Sequence, residues 1–153
     1  MTFAIHFEID DPRWKRRRGL RLRLEEAVRL ALRQGGKLRR GALTILLTGD
    51  ARLKTLNRDF RGKNKPTNVL SFPAAPNDAA YLGDVALAFG VTEAEALKAG
   101  KRFADHAVHL VIHGVLHLLG YDHITDRQAK KMEPLETRLL ARLGIDDPYA
   151  EVA

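Results

Sequence analysis

Residues 113–123 read His113-Gly114-Val115-Leu116-His117-Leu118-Leu119-Gly120-Tyr121-Asp122-His123. The apolar pattern from Phe103 to Leu119 predicts a helix, with Gly120 as the residue just past its end. His113 and His117 are four apart, so both imidazoles project from one face of that helix. A glycine at 120 permits the positive φ that stops a helix and turns the chain back. His123 is thereby expected to return to the side that His113 and His117 face. Three neutral imidazoles with a fourth position open is the arrangement of a catalytic zinc, whereas a structural zinc is closed by four ligands. Histidines packed there for structure alone would leave several polar rings in an apolar stretch, at a cost in free energy.

Outward from this stretch the chain alternates strands and helices. Phe3 to Ile9 alternates apolar and polar, a half-buried strand ended by Asp10-Asp11-Pro12. Leu24, Ala27, Val28 and Ala31 share one helical face, and Gly35-Gly36 stops that helix. The basic run Arg13 to Arg18 is either a solvated helix entrance or a phosphate-facing patch. Leu43 to Thr48 is an uncharged run, expected as a buried strand. Asp50 is the expected N-cap of a short helix carrying Leu53, Leu56 and Phe60. Arg61 to Thr67 is a loop with three cations in its first five residues. Asn68 to Phe72 and Tyr81 to Phe89 read as strands, the second interrupted at Gly83-Asp84. Thr92 with Glu95 reads as a capping box for a helix ending near Gly100. Thr125 with Gln128 reads as another, opening a last helix with Met132, Leu135, Leu139 and Leu143 inward and Gly144 at its end. No repeat or linker breaks the order β-α-β-α-β-β-α-α-α, which is that of a single α+β domain over residues 1–153.

Composition narrows the chemistry. With no cysteine among 153 residues, a disulfide partner and a thiolate metal site are both excluded. The 26 Lys and Arg against 19 Asp and Glu leave a net charge of +7, the balance of a protein that meets RNA or another polyanion. No apolar segment approaches the ~20 residues that cross a bilayer. The N-terminus lacks the pattern of a signal peptide, so no membrane partner and a cytoplasmic location are expected.

The spacing of His113, His117, Gly120 and His123 is similar to that of the metzincin signature H-E-x-x-H-x-x-G-x-x-H. Gly114 stands where those peptidases carry their glutamate base, so peptidase chemistry lacks its proton acceptor. The stretch more closely resembles the signature of the YbeY family of bacterial endoribonucleases. Leu56 to Pro73 (LNRDFRGKNKPTNVLSFP) resembles that family's RGK-x-KPT-x-VLSFP block, and Leu82-Gly83-Asp84-Val85 resembles its LGD strand. The blocks stand in the family's order and cover about residues 40 to 145. Asn64, where the family often has Asp, is a minor departure.

The resemblance implies a zincin-like α+β fold, a small mixed sheet packed against helices. It implies one zinc ion per chain on His113, His117 and His123, and an Arg61 needed for activity. It implies cleavage of single-stranded RNA, with ribosomal RNA of the small ribosomal subunit as target, in 3′-end maturation, assembly and quality control. Elementary chemistry agrees. A phosphodiester hydrolase needs an activated nucleophile and a cation on the transition-state phosphate. A guanidinium clamps phosphate bidentately, which suits Arg61. Lys63 and Lys65 are expected to hold the RNA backbone. Asp84 is either a support for a metal ligand or a turn residue, and Asp122 either orients a ligand or caps a turn. His109 either supports the site or is a core histidine. The general base stays open, as does a non-catalytic ribosome-assembly factor with a structural zinc.

Overall fold

The computed structural model describes residues 2–149. Strand β1 (Thr2–Ile9) leads through a 3₁₀ turn at Trp14–Arg16 into α1 (Leu20–Gly35). Then follow β2 (Arg40–Thr48), α2 (Asp50–Arg61), β3 (Val69–Pro73), β4 (Tyr81–Ala88), α3 (Phe89–Ala99), α4 (Phe103–Leu118) and α5 (Asp126–Arg142). The four strands form one mixed sheet in the order β1-β2-β4-β3. β1, β2 and β4 run parallel, and β3 is antiparallel to β4. The expected α+β architecture, a small mixed sheet against helices, is the one observed.

Why β2 carries an unbroken apolar run follows from its place in the sheet. Leu43, Ile45 and Leu47 pack with α1, α4 and α5 on one face. Leu46 packs on the other face with Leu53, Leu70, Ala86 and Ala88, under α2. A strand covered on both faces has no solvent side on which to place a charge. α4 packs against α1, β3 and β4, with α3 and α5 also against it, and its histidine-bearing side lines a cleft.

Three local expectations are corrected. Asp50 is not the N-cap of α2; Gly49 is, and the Asp50 carboxylate instead accepts the Val91 N–H at 3.0 Å, in the first turn of α3. Thr92 and Glu95 form no capping box. α3 starts at Phe89, earlier than the pattern implied, because Asp50 satisfies one of its free amides from outside. Thr92 is buried and donates to the Ala88 carbonyl at 2.6 Å. β4 also runs unbroken through Gly83 and Asp84; its pairing with β2 shifts register between Ala42 and Leu43, where Leu82 of β4 is the extra residue. The Thr125–Gln128 capping box is present as expected.

Within the basic run, Trp14 is the anchor. It is buried against Phe89 and Phe103, and its Nε1–H donates to the Thr48 carbonyl at 2.8 Å. Arg17 lies over the Phe103 ring and pairs with Glu93. The run is thus fastened to the C-terminal ends of the strands through its one aromatic residue.

Candidate metal centre and nucleic-acid cleft

α4 ends in a tight reversal. The Gly120 N–H donates to His117 and the Tyr121 N–H to Leu116, each at 3.0 Å, with Gly120 at φ 100°. This pattern closes a helix through a left-handed residue, and a side chain there would strain the backbone. Beyond it, His123 folds back toward α4. The ring centroids of His113 and His117 are 4.6 Å apart, those of His113 and His123 4.9 Å, and those of His117 and His123 5.2 Å. One nitrogen from each ring lies within 4.8 Å of the others. The predicted trio is therefore assembled.

The residue that orients His113 went unrecognised in the sequence. Glu136 of α5 is fully buried, and its Oε1 accepts from His113 Nδ1 at 3.1 Å. Its Oε2 accepts from His109 Nε2 at 2.8 Å and from the Tyr149 hydroxyl at 3.0 Å. A carboxylate only accepts, so His113 carries its proton on Nδ1 and turns the Nε2 lone pair outward. That nitrogen lies 3.0 Å from His117 Nε2. Two imidazole nitrogens on one tetrahedral zinc would be separated by about 3.3 Å. The donor set fits a borderline-soft cation such as zinc. Burial, then the neighbouring His113 and His123, hold the His117 pKa below its ordinary value and keep the ring neutral. Burial by itself would raise the Glu136 pKa, but hydrogen bonds from His109 and His113 hold it down to about 2. Burial, and then Glu136, push the Tyr149 hydroxyl well above its usual range.

A sequence signal for Glu136 did exist. Position 136 lies four residues after Met132 and three before Leu139, inside the apolar stripe of α5. An acid on an inward stripe is buried, and a buried acid needs partners.

The other predicted residues divide. Arg61, the last residue of α2, lines the same cleft of about 1140 Å³ as the trio. It has no ion-pair partner among the described residues. Gly62 turns the chain there at φ 69°, and buried Asn57 pins the following loop by donating to the Lys65 carbonyl at 2.9 Å. Lys63 and Lys65 stand exposed on that loop, outside the cleft wall. His109 supports His113 through Glu136. Asp122 caps its own turn, accepting the His123 N–H at 2.7 Å. Asp84 is corrected: it faces the opposite side of the sheet, bonded to the Tyr81 hydroxyl, and does not reach the histidines. Strand alternation decides this, since its neighbour Val85 is the residue that faces α4.

Val85 also explains Gly114. A Cβ at 114 would meet Val85 Cγ1 at 2.5 Å, so this position points into the sheet and has no room for a glutamate base.

The sequence model of the endoribonuclease YbeY family matches residues 8–144. The chain belongs to the YbeY endoribonuclease family. The endoribonuclease YbeY of Paramagnetospirillum magneticum is 58% identical over 117 residues, 71% of each chain. That of Maricaulis maris is 44% identical over 146 residues, 95% of this chain and 91% of the relative. Among solved structures, the solution structure of TM1509 from Thermotoga maritima matches with a TM-score of 0.61 at 26% identity, covering 97% of this chain and all of the other. In this member of the YbeY family the histidine trio and Arg61 line one cleft. No helix among the described residues is long and apolar enough to cross a membrane.

Proposed function

We propose that this chain is a zinc-dependent endoribonuclease specific for single-stranded RNA. It acts in the cytoplasm on small-subunit ribosomal RNA, in 3′-end maturation, ribosome assembly and quality control. The observation that carries the reading is Arg61, without an ion-pair partner among the described residues, on the same cleft wall as three converging imidazoles, in a member of an endoribonuclease family.

His113, His117 and His123 would hold one zinc ion per chain. Bound there, zinc supplies Lewis-acid activation of water and neutralises charge on a phosphoryl oxygen. The remaining work belongs to the protein. Glu136 fixes the tautomer and ring plane of His113. Arg61 clamps the scissile phosphate with its planar fork and stabilises charge that develops there. Lys63 and Lys65, on the loop beside it, hold flanking phosphates as the strand leaves the cleft.

The test compares wild type, His117→Ala and Arg61→Glu for zinc per chain and for cleavage of a single-stranded RNA and its duplex. His117→Ala is expected to lose both zinc and cleavage. Arg61→Glu keeps zinc and loses turnover about a hundredfold or more, the scale for removing one transition-state donor. Unchanged metal content in His117→Ala overturns the ligand assignment. Stoichiometric zinc with no cleavage by wild type would instead mark a non-catalytic assembly factor.

A further inference from the structure

The cleft does not end at the histidine trio. It continues along the exposed face of α4 toward the helix N-terminus, where Asn68, Glu95, Lys98 and His106 line it. His106 precedes His113 by seven residues, about 10 Å along the helix axis. At this end Glu95 of α3 is held from two sides. Its Oε1 accepts from His106 Nε2 at 2.9 Å and from Asn68 Nδ2 at 3.0 Å. Among the described residues its Oε2 has only a long contact of 3.4 Å, to the same amide. The side chain is 42% exposed. A fixed carboxylate oxygen with unused lone pairs therefore stands in a cleft that otherwise presents Arg61 and Lys98 to a polyanion.

That oxygen repels phosphate and can only accept a hydrogen bond. A nucleobase is the part of a single-stranded RNA that offers donors without negative charge, and unstacked bases expose their Watson–Crick edges to side chains. The exocyclic amino groups of adenine, cytosine and guanine are such donors. Uracil has none. Asn68 has little left to offer uracil, because its amide nitrogen is turned to both Glu95 oxygens, at 3.0 and 3.4 Å, and its Oδ1 accepts the Val69 N–H at 2.6 Å. Burial keeps His106 below its ordinary pKa, so the imidazole is neutral and leaves the charge on Glu95 uncompensated.

We propose that Glu95, braced by Asn68 and His106, forms a base-reading subsite that accepts an exocyclic amino group from a nucleotide next to the scissile phosphate and disfavours uracil there. Lys98, one turn further along α3 on the same cleft, takes the phosphate of that nucleotide. The proposal rests on the reading of the cleft as an RNA site.

The experiment measures binding of fluorescent A8, C8 and U8 RNAs by anisotropy, with wild type and Glu95→Gln. Cleavage ends from a random-sequence RNA are sequenced in parallel. Wild type is expected to bind A8 and C8 at least tenfold more tightly than U8, and to show uracil depleted at one fixed position beside the cut. Glu95→Gln offers an acceptor and a donor together, so it should bring U8 within about twofold of the others and erase the depletion. Equal binding of all three RNAs by wild type overturns the proposal without touching the nuclease reading. So does a Glu95→Gln protein that keeps the preference. The wild-type preference is decisive on its own should the variant fail to fold. Wild type that binds none of the RNAs overturns the nuclease reading and the subsite with it.

Discussion

Glu136 shows how one buried side chain fixes a histidine of a group that could hold a metal ion. Its two oxygens serve three donors: His113, His109 and Tyr149. Outer partners of this kind typically set metal affinity by 10–100-fold. Glu136→Gln replaces one oxygen by an amide donor, which must face an N–H or a hydroxyl. The variant is expected to bind zinc about 10–100-fold more weakly in competition with a chelator. Affinity within twofold of wild type would remove Glu136 from the metal site. Gly114 gives a second prediction. Its missing Cβ is the space that Val85, Ser71 and Val69 occupy. Gly114→Ala should destabilise the fold by about 1–3 kcal/mol, the usual cost of overpacking, read from urea unfolding. A neutral substitution would mean that α4 can lift from the sheet, and the close-packing account of this glycine would fall.

The elements explain why some assignments could be read from the sequence and others could not. α4, Gly120 and His123 form one local unit, so spacing alone assembles the trio. Glu136 reaches His113 across 23 positions, and only the packing of α5 on α4 brings them together. The start of α3 was misplaced for the same reason, since its capping group comes from Asp50 on α2. Trp14 likewise finds Thr48 across 34 positions, inside a run whose charges dominate its pattern. The clip between α3 and α4 has a pH signature. Desolvation lowers the His106 pKa below 6.5, against Glu95, which raises it, while His109 and Lys101 add to the lowering. In the unfolded chain His106 takes its proton near pH 6.5, and in the folded chain only at lower pH. Between those values the unfolded state binds more protons, so falling pH costs stability. His106→Gln should remove this contribution. The stability difference between wild type and variant is expected to drift against wild type as pH falls from 7.5 to 5.5. A difference independent of pH over that range would mean that His106 titrates alike in both states.

At the scale of the whole molecule, the net charge of +7 matters less than where its cations stand. Arg13, Arg17, Arg23 and Arg52 are paired with acids and are poorly placed to meet a phosphate. Arg61 and Lys98 line the cleft, with Lys63 and Lys65 on the loop beside it. Charge alone predicts a polyanion partner without locating it; the fold sets two of these four cations on the cleft and two on the loop beside it. Each phosphate neutralised on a single strand contributes about 0.7 to the slope of log K against log salt. Four contacts give a slope near −2.8, so binding of a short single strand should weaken about 50-fold between 50 and 200 mM salt. Lys63→Gln with Lys65→Gln should lower the slope by about 1.4 while leaving zinc content unchanged. Fluorescence anisotropy over a salt series measures both quantities. A flat response in wild type would show that the positive charge is incidental to RNA. An unchanged slope in the double variant would place the phosphate track elsewhere on the surface.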